Sequence, residues 1–310
     1  MTVHLGIDVG GTASRWVACD EAGAELARGK GPGATGHVFN PAEKERLRVA
    51  LAAIADGFST QGLEAATVTA GLTGFGAVVA DQLKPLITDA FGVAGADIIL
   101  VDDMTLAYAA IFAPGEGHLV SAGTGSIGLH IGADDLYVRV GGRGILIDDA
   151  GSGSWIALKA LDTLFRRLDH EGSFESAGIL AEEMGARIGS MDWHAVREFV
   201  YGGDRGRIGT LSVAVGAAAE RGDAVAADIL SSAGRELALM GGALGKRVGR
   251  RPIGFIGGVL GLPLVRSAIE EALAGEELRF PAADAALAAA RMQTVLADWR
   301  AVLAGNRGLA

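Results

Sequence analysis

Residues 5–20 predict a β-hairpin, Leu-Gly-Ile-Asp-Val-Gly-Gly-Thr-Ala-Ser-Arg-Trp-Val-Ala-Cys-Asp. An apolar run from Val3 to Val9 and a second run from Trp16 to Cys19 are typical of two strands joined by a Gly-Gly turn. The turn, Gly10 and Gly11, carries no side chains and offers several backbone N–H groups. It therefore suits the close approach of an anion.

One carboxylate, Asp8, interrupts the first apolar run. At the end of a strand and beside a bound anion, a carboxylate is useful only if a cation lies between the two. Mg²⁺ held through water fits that role. The alternative is an ordinary hairpin with a buried aspartate, and this stretch alone does not decide between them.

Two similar Gly-rich turns follow later in the chain. Residues 121–126, Ser-Ala-Gly-Thr-Gly-Ser, lie between two apolar runs, and residues 253–261 form a strand that ends in Gly257 and Gly258 before a helical pattern. The ordered set of three turns resembles the phosphate 1, phosphate 2 and adenosine motifs of the actin, sugar kinase and Hsp70 superfamily. The resemblance is greatest to its N-acetylglucosamine kinase branch, which shares a family with the BadF/BadG/BcrA/BcrD ATPases.

The resemblance implies an α/β fold with two ribonuclease H-like (actin-like ATPase) domains and a cleft between them. Strands that alternate with helices in the first third of the chain also indicate an α/β domain with a partly parallel sheet. We expect an N-terminal domain over 1–115 and a C-terminal domain over 116–282. A C-terminal helix, about 283–310 with its amphipathic part at 283–303, is expected to pack back on the first domain. Residues 29–37, rich in glycine, predict a loop outside the core.

Composition limits the classes of function. A chain of 310 residues, half of them hydrophobic, fits two domains of ordinary size. A formal net charge of −10 argues against a nucleic-acid surface and fits a cytoplasmic protein. The single cysteine, Cys19, cannot form an intrachain disulfide, a zinc cluster or an iron–sulfur site alone, and we interpret it as a small buried residue. No apolar run approaches the length of about 18 residues that predicts a membrane helix.

Asp103 is the candidate general base. A continuous apolar strand, 98–101, ends in Asp102 and Asp103 just before a helix, where the ligands of open α/β sheets gather. Position alone favours a capping role for either residue, since aspartate is a preferred helix N-cap. The resemblance favours catalysis, because kinases of this family place the base at this strand end and the second aspartate aligns best. One carboxylate that orients the attacking hydroxyl is what phosphoryl transfer needs.

Two of the Gly-rich turns also carry hydroxyl side chains, which two purely structural hairpins would not require. The resemblance assigns the triphosphate of ATP to the following residues: Gly10, Gly11, Thr12, Gly123, Thr124, Gly125 and Ser126. Backbone amides are expected to make most of these contacts. Gly257 and Gly258 would let the backbone lie against the adenine or ribose, although a strand-to-helix turn often needs glycine for structural reasons alone.

The loop 141–153 resembles the family's sugar-binding loop, which usually runs Gly-Trp-Gly and then Gly-Asp-Glu-Gly-Ser-Gly. Asp149 takes the place of the aspartate that lies at the sugar, and a carboxylate that accepts hydrogen bonds from sugar hydroxyls is physically sensible. The chain departs from the family pattern at three positions: Arg143, Asp148 and Ala150. These departures bear on the identity of the sugar more than on the type of reaction.

A second sugar contact is expected in the early loop. The family often places an asparagine soon after its Gly-rich turn, whereas this chain offers Thr35, Gly36 and His37 there, with Asn40 only later. We assign the three residues of this loop, with Asp103 and Asp149, to the substrate.

The leading hypothesis is an ATP-dependent amino-sugar kinase that phosphorylates N-acetylglucosamine or glucosamine at the 6-hydroxyl, with ATP and Mg²⁺ as cofactors. The resemblance further implies a homodimer, and the composition predicts a cytoplasmic protein with no nucleic-acid or membrane partner. Two alternatives come from other classes. A BadF-type activator ATPase would need an iron–sulfur cluster held by cysteines of each subunit, which one cysteine disfavours. A non-catalytic sugar-responsive regulator usually has a DNA-binding helix-turn-helix, and this sequence starts directly at its first strand. The zinc motif of the ROK kinases cannot be formed with one cysteine.

Overall fold

A computed structural model of the protein describes residues 2–134, 136–203, 205–296, 298–299 and 302–303. The strands, in chain order, are β1 (His4–Val9), β2 (Ala13–Cys19), β3 (Glu25–Pro32), β4 (Thr67–Leu72), β5 (Ile98–Asp102), β6 (His118–Ala122), β7 (Ser126–Ile131), β8 (Tyr137–Gly141), β9 (Ile253–Ile256) and β10 (Leu278–Arg279). The helices are α1 (Pro41–Ser59), α2 (Ala80–Phe91), α3 (Asp103–Ala109), α4 (Gly153–Glu171), α5 (Gly178–Ile188), α6 (Trp193–Tyr201), α7 (Arg205–Gly209), α8 (Ser212–Glu220), α9 (Ala224–Val248), α10 (Pro263–Ala272) and α11 (Ala285–Arg291).

These elements form two compact units. The first unit contains the chain up to Glu116, Ile131–Tyr137 and the chain from Ala282 onward. The second unit contains Gly117–His130 and Val138–Pro281. In the part of the chain that the structure describes, no helix has the length and apolar character needed to cross a bilayer.

The sheet of the first unit has the strand order β3-β2-β1-β4-β5. The predicted hairpin is present, because β1 and β2 are antiparallel with His4 opposite Cys19 and Val9 opposite Ser14. Strands β4 and β5 run parallel to β1. The carboxyl ends of these three parallel strands therefore meet at one edge of the sheet, and the residues that follow them are brought together there.

Alternation along β1 gives the sheet two different faces. Leu5, Ile7 and Val9 are buried in one core with the apolar sides of α1 and α2. On the other face, Gly6 lies against the backbone of α11, since a Cβ at this position would come within 2.2 Å of the Ala286 carbonyl oxygen. Cys19 is buried in this second layer, in line with its interpretation as a core residue.

The sheet of the second unit repeats the plan of the first. Its order, β8-β7-β6-β9-β10, matches the first sheet strand for strand. Strand β6 is antiparallel to β7 and parallel to β9, and β9 is parallel to β10. Helices α4, α8, α9 and α10 contribute most of the buried apolar side chains around β6 and β9. The predicted α/β class is confirmed, and the two halves share an architecture.

Two predicted boundaries were wrong. The loop predicted over 29–37 begins only after β3, because Gly29 and Gly31 are strand residues. A Cβ at Gly29 would lie 2.5 Å from the Trp16 indole nitrogen, so glycine here makes room for a neighbouring side chain rather than for a turn. The last helix, predicted over 283–303, is interrupted, because Ala285–Arg291 is helical, turns follow through residue 296, and residues 298–299 and 302–303 are helical again. Residues 304–310 of that prediction lie outside the described part of the chain.

Candidate functional site

The turn after β1 is held in place through its carbonyl groups. The Ala34 amide donates to the Gly10 carbonyl, and the Arg46 guanidinium on α1 donates to the carbonyls of Gly11 (2.7 Å) and Gly33 (2.9 Å). Gly11 and Thr12 themselves are exposed. Their amides have no hydrogen-bond acceptor in the described part of the chain. A turn whose carbonyls are bound and whose amides are free presents positive partial charge, which is what a phosphate group requires.

The two aspartates after β5 have different environments. The Asp102 carboxylate caps α3, because it accepts hydrogen bonds from the amide and the hydroxyl of Thr105. Asp103 is the first helical residue, and its Oδ2 accepts a hydrogen bond of 2.6 Å from the Thr73 hydroxyl. Burial raises the pKa of Asp103, and the hydrogen bond from Thr73 opposes this effect. Asp102 is therefore the N-cap of α3, and among the described residues Asp103 has one side-chain donor, Thr73.

Asp8 lies at the same sheet edge as Asp103. Its side chain is 17% exposed and faces Arg15 on β2, with 3.6 Å between Oδ2 and the guanidinium Nη1. Burial and the nearby Asp103 carboxylate raise the pKa of Asp8 to about 6, although Arg15 acts in the opposite direction. Two carboxylates that raise each other's energy at one edge form a site that a cation would stabilise.

The ionised form of Asp8 should lower the free energy of unfolding at pH values above the pKa of this side chain. A carboxyl whose pKa is raised by folding keeps its proton until about pH 6, so the free energy of unfolding falls as the pH rises from about 4 through 6. Asp8→Asn removes this cost, and we expect it to stabilise the protein by about 2–3 kcal/mol at pH 8 but hardly at all near pH 4. Urea unfolding of nucleotide-free protein at both pH values measures the difference. Glu64→Gln, which removes an exposed carboxylate, is the control, and equal effects of the two variants at pH 8 would contradict the prediction.

Asp8 can form a magnesium site only if a bound substrate supplies further ligands. Among the described residues, no group of three or more His, Cys, Asp or Glu side chains is arranged to hold a metal ion. Mg²⁺ is commonly bound by one or two carboxylates together with substrate phosphates. A mostly buried carboxylate beside a phosphate-binding type of turn meets that requirement.

Thr73 connects the early loop to this edge. Its amide donates to the Val9 carbonyl, and its own carbonyl accepts a hydrogen bond of 2.8 Å from the Gly36 amide. His37 lies over Gly74, where a Cβ would come within 2.2 Å of the imidazole Nε2. The first unit thus brings the β1 turn, Asp8, Asp103 and the early loop together.

The polar side chains of the early loop already have partners. The Thr35 hydroxyl donates to the Glu43 carboxylate at 2.8 Å, and the Asn40 side chain caps α1 by accepting from the Ala42 amide. Asn40, the only asparagine near this loop, is therefore occupied by a structural role. His37 has the exposed Phe39 ring beside it, with 5.6 Å between the ring centroids.

In the second unit, the turn between β6 and β7 is bound by the start of α4. The amides of Gly153 and Ser154 donate to the carbonyls of Gly123 (2.8 Å) and Thr124 (3.2 Å). Ser126, predicted to contact phosphate, is buried and its hydroxyl donates to the Ala150 carbonyl at 2.7 Å. Phosphate binding at this turn would therefore depend on backbone amides and on Thr124.

Asp149 lies directly on this turn. Its Oδ2 is 3.0 Å from the position that a Cβ on Gly125 would take, so a side chain there would meet the carboxylate. Asp149 is buried and has a φ of 65°, a left-handed conformation that is uncommon for any residue but glycine. Its Oδ2 has no hydrogen-bond partner among the described residues. A strained, buried carboxylate oxygen without a donor is typical of a binding position.

The turn after β9 contacts the turn after β6. Gly257 has a φ of 109°, and a Cβ on it would lie 2.2 Å from the Ala122 carbonyl oxygen, next to Gly123. Gly258 faces open space, since a Cβ on it would have no atom within 4 Å. The second unit thus brings the two predicted nucleotide turns and Asp149 together.

Three residues near the predicted sites were missed: Arg15, Arg46 and Thr73. Thr73 had a usable signal, since it follows β4 just as Asp103 follows β5. The contacts of Arg46 with Gly11 and Gly33 join residues far apart in the sequence, which no local pattern reveals. The cavities of about 440 and 550 Å³ on α4 and α6 are lined by none of the predicted site residues.

Comparison with known proteins gives the family. The model of the BadF/BadG/BcrA/BcrD ATPase family matches residues 5–290. The chain is 28% identical over 244 residues to the N-acetylmuramic acid/N-acetylglucosamine kinase of Clostridium acetobutylicum, a match that covers 77% of this chain and 78% of that protein.

Two solved structures share the fold. One, from Porphyromonas gingivalis, has a TM-score of 0.76 at 17% identity over 94% of this chain and 99% of that one. The other, from Chromobacterium violaceum, has a TM-score of 0.70 at 23% identity over 94% and 98%. Both proteins are provisionally named as N-acetylglucosamine kinases. The fold is therefore that of the actin-like ATPases and sugar kinases, and the chain belongs to the BadF/BadG/BcrA/BcrD ATPase family.

Proposed function

We propose that the protein is an ATP-dependent sugar kinase that transfers the γ-phosphate of ATP to a sugar hydroxyl. The observation that carries the proposal is the separation of roles after β5, where Asp102 caps α3 and Asp103 keeps a carboxylate with one hydroxyl donor. The family and its kinase relatives support the same reaction. Phosphoryl transfer needs a positioned carboxylate, phosphate-binding amides and a cation, and the described residues offer the first two.

In the first unit, Asp103 is the proposed base, which orients the acceptor hydroxyl and takes its proton. Gly10, Gly11 and Thr12 are proposed to bind phosphate, with the amides of Gly11 and Thr12 as the donors, since the Gly10 amide donates to the Ala13 carbonyl. Asp8 is the proposed carboxylate for Mg²⁺, which when bound neutralises charge on the phosphates. The early loop, Thr35, Gly36 and His37, is proposed to contact the sugar.

In the second unit, Gly123, Thr124 and Gly125 are proposed to bind phosphate, and Gly257 and Gly258 to lie against the adenosine. Ser126 supports the turn through Ala150 rather than through its own contact with phosphate. Asp149 is proposed to accept hydrogen bonds from sugar hydroxyls, since its Oδ2 is buried without a donor.

The proposed acceptor is an amino sugar, N-acetylglucosamine or glucosamine, at its 6-hydroxyl. The kinase from Clostridium acetobutylicum supports this class, because its name includes N-acetylglucosamine. A BadF-type activator is not favoured, since the only cysteine of the chain is buried in the first sheet.

A coupled assay of ADP release against a panel of hexoses and amino sugars tests the proposal. We expect turnover to depend on both Mg²⁺ and an amino sugar, with the phosphate found on the 6-hydroxyl by NMR of the product. Glucose, mannose and a sugar-free reaction serve as controls. ADP release that is unaffected by any sugar would point to an ATPase and would refute the kinase.

Thr73 is proposed as a positioning residue for Asp103. It donates to the Asp103 carboxylate and is bound to the early loop and to β1 by its backbone. We expect Thr73→Val to lower kcat by about 10- to 100-fold, the effect of losing one hydrogen bond to a charged group, with a smaller change in the KM for ATP. Thr73→Ser keeps the hydroxyl and should restore most of kcat. If the serine variant is as impaired as the valine variant, the methyl group and not the hydrogen bond is what matters.

A further inference from the structure

Two buried histidines face each other at the end of the β6–β7 hairpin that lies away from the Gly123 turn. His118 is the first residue of β6, and His130 lies next to the end of β7, one step beyond the antiparallel pair Leu119 and Leu129. The two rings meet edge to face with 5.1 Å between their centroids, and both residues are buried. Neither histidine has a role in the proposed phosphate transfer.

Each of the two rings is bound to a backbone carbonyl. Nε2 of His118 lies 3.0 Å from the carbonyl oxygen of Gly249, the residue after α9. Nδ1 of His130 lies 2.7 Å from the carbonyl oxygen of Gly117, the residue before β6. A carbonyl only accepts, so each of these ring nitrogens carries a hydrogen. The pair therefore connects the end of α9 and the start of β6 to the hairpin.

The second ring nitrogen of His118 is placed where a proton would be unfavourable. Nδ1 is buried and has no hydrogen-bond partner among the described residues. Protonation would make it a buried, charged N–H donor without an acceptor, which costs far more than an unused acceptor in a neutral ring. Burial lowers the pKa of His118, and the hydrogen bond to Gly249 opposes this effect. The neighbouring charges of His130 and Arg251 act in the same direction as burial.

The surroundings of His118 also carry an excess of positive charge. Glu276 is the carboxylate among the charged side chains nearby, and Arg250 binds it at 2.9 Å. A proton on His118 would therefore add to a group of cations. The titratable and charged groups that face this end of the sheet, from β7, α9 and the segments before β9 and β10, are His130, Lys246, Arg250, Arg251 and Glu276.

We propose that His118 and His130 form an acid-sensitive contact, in which protonation of His118 opens the start of β6 and the segment 249–253. The charged ring finds water for its second N–H only when this end of the sheet opens. Opening would break the hydrogen bond of 2.8 Å from the His118 amide to the Pro252 carbonyl, which joins β6 to the residue before β9. The proposal concerns the second unit alone and does not require the kinase reaction.

The direction of the pH effect follows from the two forms of this segment. In the open form, His118 titrates near its usual pKa of 6.5, whereas in the closed form it takes up a proton only at a lower pH. The closed form therefore has its full stability above about pH 6.5 and loses stability as the pH falls below that value. In that range, each pH unit changes the opening equilibrium by up to about tenfold.

Amide hydrogen exchange, measured by segment between about pH 5 and 8 and corrected for the intrinsic exchange rate, tests the proposal. We expect the protection of 117–122 and 249–256 to be constant above about pH 6.5 and to fall below it by up to about tenfold per pH unit. The segment 98–105 of the first unit should not show this fall. Measurement by segment is needed because Asp8 lowers the free energy of unfolding as the pH rises, which is the opposite direction.

A matched pair of variants keeps the test specific. His118→Gln can still donate to the Gly249 carbonyl and does not titrate, so the loss of protection at low pH should disappear. His170→Gln on α4 removes an exposed histidine and should behave like the wild type. NMR titration of the histidine rings in the wild type does not depend on the folding of any variant, and we expect His118 to titrate below pH 6.5. A His118 ring that titrates at pH 6.5 or above would overturn the proposal, and so would an unchanged pH dependence in His118→Gln.

Discussion

Asp103→Asn is expected to abolish sugar phosphorylation while the protein still binds ATP. The asparagine keeps the shape of the side chain and can still accept the hydrogen bond from the Thr73 hydroxyl at 2.6 Å. It cannot take a proton from the acceptor hydroxyl, and loss of a general base costs about 10²–10⁴-fold in rate. We expect kcat to fall by this factor and the dissociation constant for ATP to change by less than about threefold.

The neighbouring aspartate provides the matched control. Asp102→Asn retains an N-cap, since asparagine and aspartate cap helices about equally well. Its kcat and melting temperature should stay close to those of the wild type. ADP release with an amino sugar and calorimetry with ATP measure both variants. Turnover of Asp103→Asn at the wild-type rate would remove this residue from the mechanism, and equal losses in both variants would assign the effect to the helix start.

Gly257→Ala is expected to destabilise the protein strongly. The residue has φ 109° and ψ 164°, a region open in practice only to glycine, and a Cβ would lie 2.2 Å from the Ala122 carbonyl oxygen. Backbone strain and the clash together should cost about 3 kcal/mol or more. That cost corresponds to a fall of about 6–12 °C in the melting temperature. Because Ala122 precedes the Gly123 turn, nucleotide binding should weaken in the same variant.

Gly258→Ala separates stability from binding. A methyl group at Gly258 meets no atom within 4 Å, so the melting temperature should stay near that of the wild type. If the backbone here lies against adenosine, the variant should still bind ATP less tightly. Thermal unfolding of the two variants measures the effect on stability, and ATP titration measures the effect on binding. A Gly257→Ala protein as stable as Gly258→Ala would contradict the close contact with Ala122.

The sequence predicted several strands because their signals are local. The hairpin of β1 and β2 has two apolar runs and a Gly-Gly turn, and β5 is a continuous apolar run before two aspartates. Gly29 and Gly31 were misread as a loop because their strand conformation depends on Trp16 and Ile54, which lie over them. A glycine required by a neighbour's side chain looks the same in sequence as a glycine required by a turn.

The sequence predicted which residues belong to the candidate site but not which hydrogen bonds they make. The Gly-rich turns and the two aspartates after β5 were visible as motifs. Only the structure showed that Asp102 caps α3, because it accepts hydrogen bonds from Thr105. Only the structure showed that Thr73 is the hydrogen-bond partner of Asp103. Ser126 was predicted among the phosphate-binding residues, and only the structure showed that its hydroxyl donates to the Ala150 carbonyl.

The sequence by itself determined the α/β class and the end of β5 as a place where polar residues gather, because periodicity and turn chemistry are encoded within short segments. The three ordered Gly-rich turns carried the resemblance to the family. Only the tertiary structure decided which groups remain free there. Strands β1, β4 and β5 are separated by tens of residues, and their parallel pairing alone places Asp8, Thr73 and Asp103 side by side. Burial, hydrogen bonds and the charge of neighbours arise from that pairing, and they set the chemistry of each carboxylate.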